Sequence, residues 1–307
     1  MYQVKAKTFG DFKVYHVFNK ETQNELVLAP EFGATVLQVR LKGQDLLDPY
    51  PAPDDLQKLS WARNSILIPY PNRIRDGKYE WKGNSYSFPI NNAATQNSIH
   101  GFIRALDSKL IGVQLEEDYA TFQLRIDYSG DNPGYPWPFT TTIVYKISEE
   151  KGFEMSLSVI NQSDENIPMG LGWHPYFRLG GNVDDWKLEV PDCRKILVDD
   201  KMIPTGGMED FQFSGSIGEN RWDTCFFKNE PESIKIKVEN KTGVLNYWQN
   251  GKEWPYFQIF TPPNGECIAL EPMSCNIDAF NNGDHLTSLE PGKSWSGNYG
   301  FSFEKNS

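Results

Sequence analysis

The 307-residue chain has almost no helical signal. No window of eleven or more residues keeps apolar side chains at the three- and four-residue spacing of an amphipathic helix, and 20 prolines with 25 glycines interrupt what remains. An α/β architecture is therefore not expected, and only Pro53 to Ala62 suits a short helical turn. No stretch approaches the roughly 18 consecutive apolar residues that span a bilayer, and Met1 to Phe18 lacks a basic start followed by an apolar run. These absences predict neither membrane insertion nor export, hence a cytoplasmic protein. The net charge of −11 is spread without any long block of one sign, so nucleic acid is a poor partner.

The four cysteines form no CxxC pair and no cysteine–histidine spacing typical of zinc, and no glycine-rich phosphate loop appears. Neither metal nor nucleotide cofactor is expected. Cys193, Cys225, Cys267 and Cys275 read as buried free thiols, with two disulfides in an exported form as the alternative. Fixed-period repeats, low-complexity tracts and Ser/Gly-rich linkers are also missing, so residues 1–307 read as a single domain. Its 39% hydrophobic and 14% aromatic content suffices for a packed core. Oligomeric state, monomer or homodimer, is left open.

What is present is strand signal. Val14–Phe18, Glu25–Leu28, Thr35–Leu41, Thr121–Tyr128, Phe139–Ile147, Phe153–Asn161, Ser233–Val238 and Tyr256–Thr261 are short, rich in β-branched and aromatic residues, and mostly bounded by turn formers. Lys82-Gly83-Asn84 between Lys78–Trp81 and Ser85–Phe88 reads as a hairpin turn. The pattern is all-β and antiparallel. Four long segments, Asn91–Ile103, Gly130–Pro138, Gly170–Leu179 and Met273–Asp284, read as the loops on which function concentrates.

Two of the four histidines have unusual surroundings. His100 precedes Gly101, where a backbone can approach a ligand closely. His174 lies among Trp173, Tyr176 and Phe177, held extended by Pro175. His16 and His285 read as structural. Glu271 follows the apolar run Cys267 to Leu270 and precedes Pro272, so a strand delivers a carboxylate where partial desolvation would raise its pKa toward that of a useful base. Asn72-Arg73 joins an amide to a guanidinium just before the hairpin, and Asp223 follows Trp222. Trp173, Tyr176 and Trp248 are aromatics with a face that could pack on a ligand, although core packing is the usual fate of any one of them.

In combination these segments resemble the aldose 1-epimerase family. The resemblance rests on Asn72-Arg73-Ile74 leading into Gly77-Lys78-Tyr79, Asn97 to Gly101, His174-Pro175-Tyr176-Phe177-Arg178-Leu179, and Leu270-Glu271-Pro272 with Asp278 to Asn281. Gly134-Tyr135-Pro136 and Leu289 to Gly292 match more softly. One departure is Pro175-Tyr176-Phe177-Arg178, where many galactose-type members have Ser-Tyr-Phe-Asn. The resemblance implies a large antiparallel β-sandwich of the galactose mutarotase-like type with an open sugar cleft. It implies Glu271 as general base and His174 as general acid, with Arg73, His100, Asp223 and Asn72 binding a monosaccharide. At ordinary pKa values Glu271 would be ionised and His174 partly protonated at pH 7. Three alternatives stay open: a phosphorylated or sulfonated hexose, for which Arg178 is a suitable cation; a non-catalytic sugar-binding protein; and a glycoside hydrolase using Glu271 with Asp223.

Overall fold

The computed structural model describes residues 1–306. Its largest sheet has 15 strands, all paired antiparallel. One run of neighbours is Lys109–Leu115, Tyr119–Tyr128, Phe139–Ser148, Gly152–Asn161 and the C-terminal Ser294–Lys305. It continues through Gly243–Asn250, Ser233–Asn240 and Lys187–Val198 to Asp223–Phe227, Tyr256–Phe260 and Ile268–Met273. A five-stranded N-terminal sheet, including Phe12–Asn19, Asn24–Ala29 and Thr35–Leu41, packs on this framework. One hydrophobic cluster holds Leu26 and Val36 of the small sheet, Phe122 and Ile143 near one end of the large sheet, and Ile259 and Leu270 near the other. The large sheet therefore curls over itself into the layers of a β-sandwich. All eight strands expected from composition are present, with ends displaced by no more than two residues.

The core contains Trp173, sandwiched between Phe153 and Tyr299 at ring-centroid distances of 5.8 and 5.0 Å. Trp173 is thus a packing residue and not a sugar platform. The hairpin turn is the two-residue Lys82-Gly83, both at positive φ, as a twist-compatible primed turn requires; Asn84 already belongs to the second strand. The segment Pro53–Ala62 divides into a helical turn at Pro53–Gln57 and a 3-10 turn at Ser60–Ala62. All four cysteines are buried and unpaired. Among the described residues no helix is long and apolar enough to cross a membrane.

Candidate active site

Three neighbouring strands build the floor. In a strand, alternate side chains share a face, and directly paired residues on neighbouring strands share it too. The pairing Cys225–Gln258–Glu271 forms one rung, and Asp223–Phe260–Ala269 forms the next. The opposite side chains, among them Phe226, Phe257, Ile259 and Leu270, enter the core. The alternation of sequence thus divides each strand into a structural and a solvent-cavity face.

The walls come from three connecting segments. Tyr176–Phe177 pairs with Ile268–Met273, and the extended backbone enforced by Pro175 stacks the His174 ring on Tyr176, 4.7 Å apart and 8° from parallel. Asn64 fixes this segment: its amide N–H donates to the His174 carbonyl at 2.9 Å, its side-chain oxygen accepts from the Tyr176 N–H at 3.0 Å, and its carbonyl accepts from the Trp173 indole at 2.9 Å. Arg73 lies on a short strand paired with Ser98–Ile99, which places it beside His100. The Asn72 side-chain oxygen accepts both from the Arg73 backbone N–H and from its guanidinium.

Together they enclose a cavity of about 520 Å³ lined by Asn72, Arg73, His100, His174, Asp223 and Glu271, all six sequence candidates. His174 Nε2 is 3.5 Å from Glu271 Oε1. Arg73 Nη2 is 3.5 Å from Asp223 Oδ2, and Gln258 Nε2 donates to Asp223 Oδ1 at 2.6 Å. His100 Nδ1 is 2.8 Å from the Pro71 carbonyl, which can only accept, so Nδ1 carries the proton and Nε2 has a free lone pair. Its ring meets His174 edge to face at 5.0 Å.

Three buried atoms here have no protein partner: Arg73 Nε, His174 Nδ1 and Glu271 Oε2. An unsatisfied buried polar group costs about 1–3 kcal/mol. All three residues line this one cavity, and such a concentration of unmet hydrogen-bonding capacity marks a site suited to a polar ligand. Burial raises the Glu271 pKa well above its usual range, the negative Asp223 adds to this, and Arg73 opposes it. Burial, reinforced by the Arg104 and Arg63 cations, lowers His174 to about 3. Burial, then His174 and Arg104, also depresses His100. The expectation of ordinary pKa values, with Glu271 ionised and His174 partly protonated, is therefore corrected: burial of the two side chains shifts both toward their neutral forms.

Three further sequence readings change. Gly101 does approach another backbone closely, but that backbone is Ile68 and not a ligand: a Cβ at its left-handed φ of +55° would collide with the Ile68 carbonyl. Gly101→Ala is accordingly expected to lower stability by roughly 1–3 kcal/mol and to displace His100 from the cavity wall, measurable as a lower urea midpoint and a shifted His100 ring signal by NMR. Arg178 pairs with Asp48 at 3.3 Å and Glu266 at 3.8 Å and does not line the cavity. Trp248 lines a separate surface groove, leaving Tyr176 as the one anticipated aromatic at the site.

The residues that sequence reasoning missed are Gln258, Arg104, Trp61 and Phe260. Gln258 carried a signal, being a lone amide among Tyr256, Phe257, Ile259 and Phe260 in a buried strand. Arg104 carried none, since only folding brings its guanidinium to the cavity, where Nη1 donates to the His100 carbonyl at 2.7 Å.

The same architecture occurs in solved structures. A galactose mutarotase-like protein from Clostridium acetobutylicum superposes with a TM-score of 0.85 over 100% of this chain and 99% of that one, at 22% identity. Galactose 1-epimerase from Lactobacillus acidophilus gives 0.84 over the same shares at 17% identity. The fold is thus that of the galactose mutarotase-like β-sandwiches. By sequence, residues 17–302 match the pattern of the family described as aldose 1-epimerase, and the chain belongs to that family of carbohydrate isomerases. The uncharacterized protein YihR of Escherichia coli is 26% identical over 85% of this chain and 84% of its own length. Bovine galactose mutarotase is 28% identical over 69% of this chain, but the match spans 64% of that protein, less than two thirds of it.

Proposed function

We propose that this protein is a mutarotase that interconverts the α and β anomers of a free hexose by general acid–base ring opening and reclosure. The observation that carries the reading is the Glu271–His174 pair: two buried, complementary proton carriers 3.5 Å apart, each with an orphaned atom, on the floor of a polar cavity. Glu271 removes the proton from the C1 hydroxyl while His174 protonates the ring oxygen as the C1–O5 bond breaks. Rotation about C1–C2 presents the other aldehyde face, and the same groups run in reverse. Arg73, His100, Asp223 and Asn72 hold the hydroxyls, the free Nε2 of His100 accepting from one of them.

The neutral resting forms fit this chemistry. Neutral Glu271 with neutral His174 holds as many protons as ionised Glu271 with protonated His174, so a proton shift within the pair converts one into the other. The Arg73 charge and donating sugar hydroxyls favour the carboxylate. The working state is the pair carrying one proton. A second proton is added only as pH falls toward the His174 value of about 3, and the single one is lost only above the raised Glu271 value. The expected pH profile of kcat/KM therefore keeps its plateau on the acid side well below the ordinary histidine value of about 6.5. An acid limb near 6.5, the ordinary histidine value, would show instead that His174 titrates as an exposed group.

The direct test follows the optical rotation of freshly dissolved α-D-glucose and α-D-galactose with and without the protein. Acceleration supports the reading, whereas binding without acceleration identifies a sugar-binding protein and release of new reducing ends a glycoside hydrolase. A second reading, a hexose with an anionic substituent, rests on Arg104. Its guanidinium lines the cavity, and no acidic partner reaches it among the described residues. Faster anomerisation of a sugar phosphate or sulfonate than of the neutral hexose would favour it.

A further inference from the structure

We propose that Asp278 is a positioning residue for Arg73: it clamps the free edge of the strand that carries Arg73 and so sets where the guanidinium stands in the cavity. The inference rests on the mutarotase reading and deepens it, because Asp278 lies outside the cavity lining and acts only through its neighbour.

A strand this short needs an anchor. Arg73–Ile74 is two residues long and pairs, among the described residues, only with Ser98–Ile99, a two-stranded ladder that contributes little stability by itself. Backbone groups of alternate residues point to the same side of a strand, so the Arg73 carbonyl and the Arg75 N–H share one edge. Asp278 meets both: its N–H donates to the Arg73 carbonyl at 2.8 Å, and its Oδ1 accepts from the Arg75 N–H at 2.9 Å. One residue thus does what a neighbouring strand would do.

Asp278 is itself fixed. Its φ of 58° is left-handed, a region that Asp and Asn enter more readily than most other side chains. Its carbonyl accepts from the Asn281 and Asn282 N–H groups at 2.8 and 3.0 Å, and Asn281 Nδ2 donates both to Asp278 Oδ1 at 2.7 Å and to the Lys78 carbonyl at 3.0 Å. Phe280 seats this turn against Tyr70 and Tyr79, at ring-centroid distances of 5.9 and 4.9 Å. Burial raises the Asp278 pKa, so what the clamp requires is an acceptor and not a charge.

The consequence reaches the chemistry. The segment that turns at Asp278 leaves the strand Ile268–Met273, so the clamp ties the strand delivering Glu271 to the strand delivering Arg73. Arg73 opposes the upward shift of the Glu271 pKa, and its guanidinium bonds to Asn72 Oδ1 at 3.0 Å and lies 3.5 Å from Asp223 Oδ2. Displacing such a group by about 1 Å can cost on the order of 10²-fold in rate, even when the cause lies far from the reacting atoms.

The experiment measures kcat and KM by polarimetry for glucose and galactose in the natural protein, Asp278→Asn and Asp278→Gly. Both replacements tolerate the left-handed backbone, but only asparagine keeps the acceptor. Glycine is expected to lower kcat/KM about tenfold, while asparagine stays within about twofold of the natural protein. In an Arg73→Gln background the glycine replacement should lose most of its effect, because coupled neighbours are not additive. Equal losses in the two variants, a lower melting temperature with unchanged kinetics, or full additivity with Arg73→Gln overturns the proposal. If glycine impairs folding, Asn281→Ala at an exposed position loosens the same carboxyl; a smaller loss of kcat/KM is expected there, and unchanged kinetics overturn the clamp. Should the natural protein anomerise no sugar, the mutarotase reading fails by itself. The clamp is then judged by crystal structures of the natural protein and Asp278→Gly, where an Arg73 withdrawn from Asn72 and Asp223 supports it and an unmoved Arg73 overturns it.

Discussion

Replacing Glu271 by glutamine is expected to lower kcat/KM for anomerisation by roughly 10²–10⁴-fold and, at the same time, to raise the melting temperature. The first effect follows from losing the proton acceptor while keeping shape and hydrogen-bonding capacity. The second follows from linkage. The folded-state pKa of Glu271 lies above its unfolded value because the carboxyl is buried beside Asp223, so the folded protein is favoured below the unfolded pKa, and that advantage is lost as pH rises through the folded value. At neutral pH the native carboxyl therefore opposes folding, and a neutral amide removes that opposition. Each kcal/mol recovered moves the midpoint by about 2–4 °C in a protein of this size or somewhat smaller. Calorimetry at pH 5 and pH 8 gives the decisive contrast, with the larger gain expected at pH 8. A variant that remains fully active would remove Glu271 from proton transfer.

His174→Asn is expected to lower kcat by a similar 10²–10⁴-fold with a smaller change in KM, because asparagine can still bond to a sugar oxygen but cannot deliver a proton. The variant should also lose the acid limb of the pH profile, since the group lowered to about 3 is gone. Loss confined to KM would make His174 a ligand contact only. Stability is expected to change little, because the main-chain bonds of residue 174 to Asn64 and Ser65 remain.

Much of this arrangement was legible in the sequence, for identifiable reasons. Thr35–Leu41 and Phe139–Ile147 announce themselves because a half-buried strand must alternate, and their buried residues are β-branched, aromatic or, at Leu37 and Leu41, leucine. Pro204–Ser216 does not, since its long hairpin with Lys187–Val198 is held by backbone pairing while its own side chains are mostly exposed, polar or glycine. All six candidate site residues converge because each sits in a short motif whose neighbours restrict it, such as Pro175 after His174. Trp61 and Arg104 escaped because their importance arises from where turns aim them, which no local periodicity encodes. The protonation states escaped for a related reason: burial is a property of the whole fold, and ordinary pKa values are all that isolated residues supply.

The rung arrangement makes the ligand specificity of this scaffold separable from its foldability. Asp223, Gln258, Phe260 and Glu271 occupy one face of their strands, while Phe226, Phe257, Ile259 and Leu270 hold the sandwich together from the other. A change of side chain at the cavity face alters which sugar is read without emptying the core. A one-residue slip in register would exchange the two faces and abolish both properties together. A mutational library confined to the cavity face should therefore yield mostly folded proteins with divergent sugar preferences.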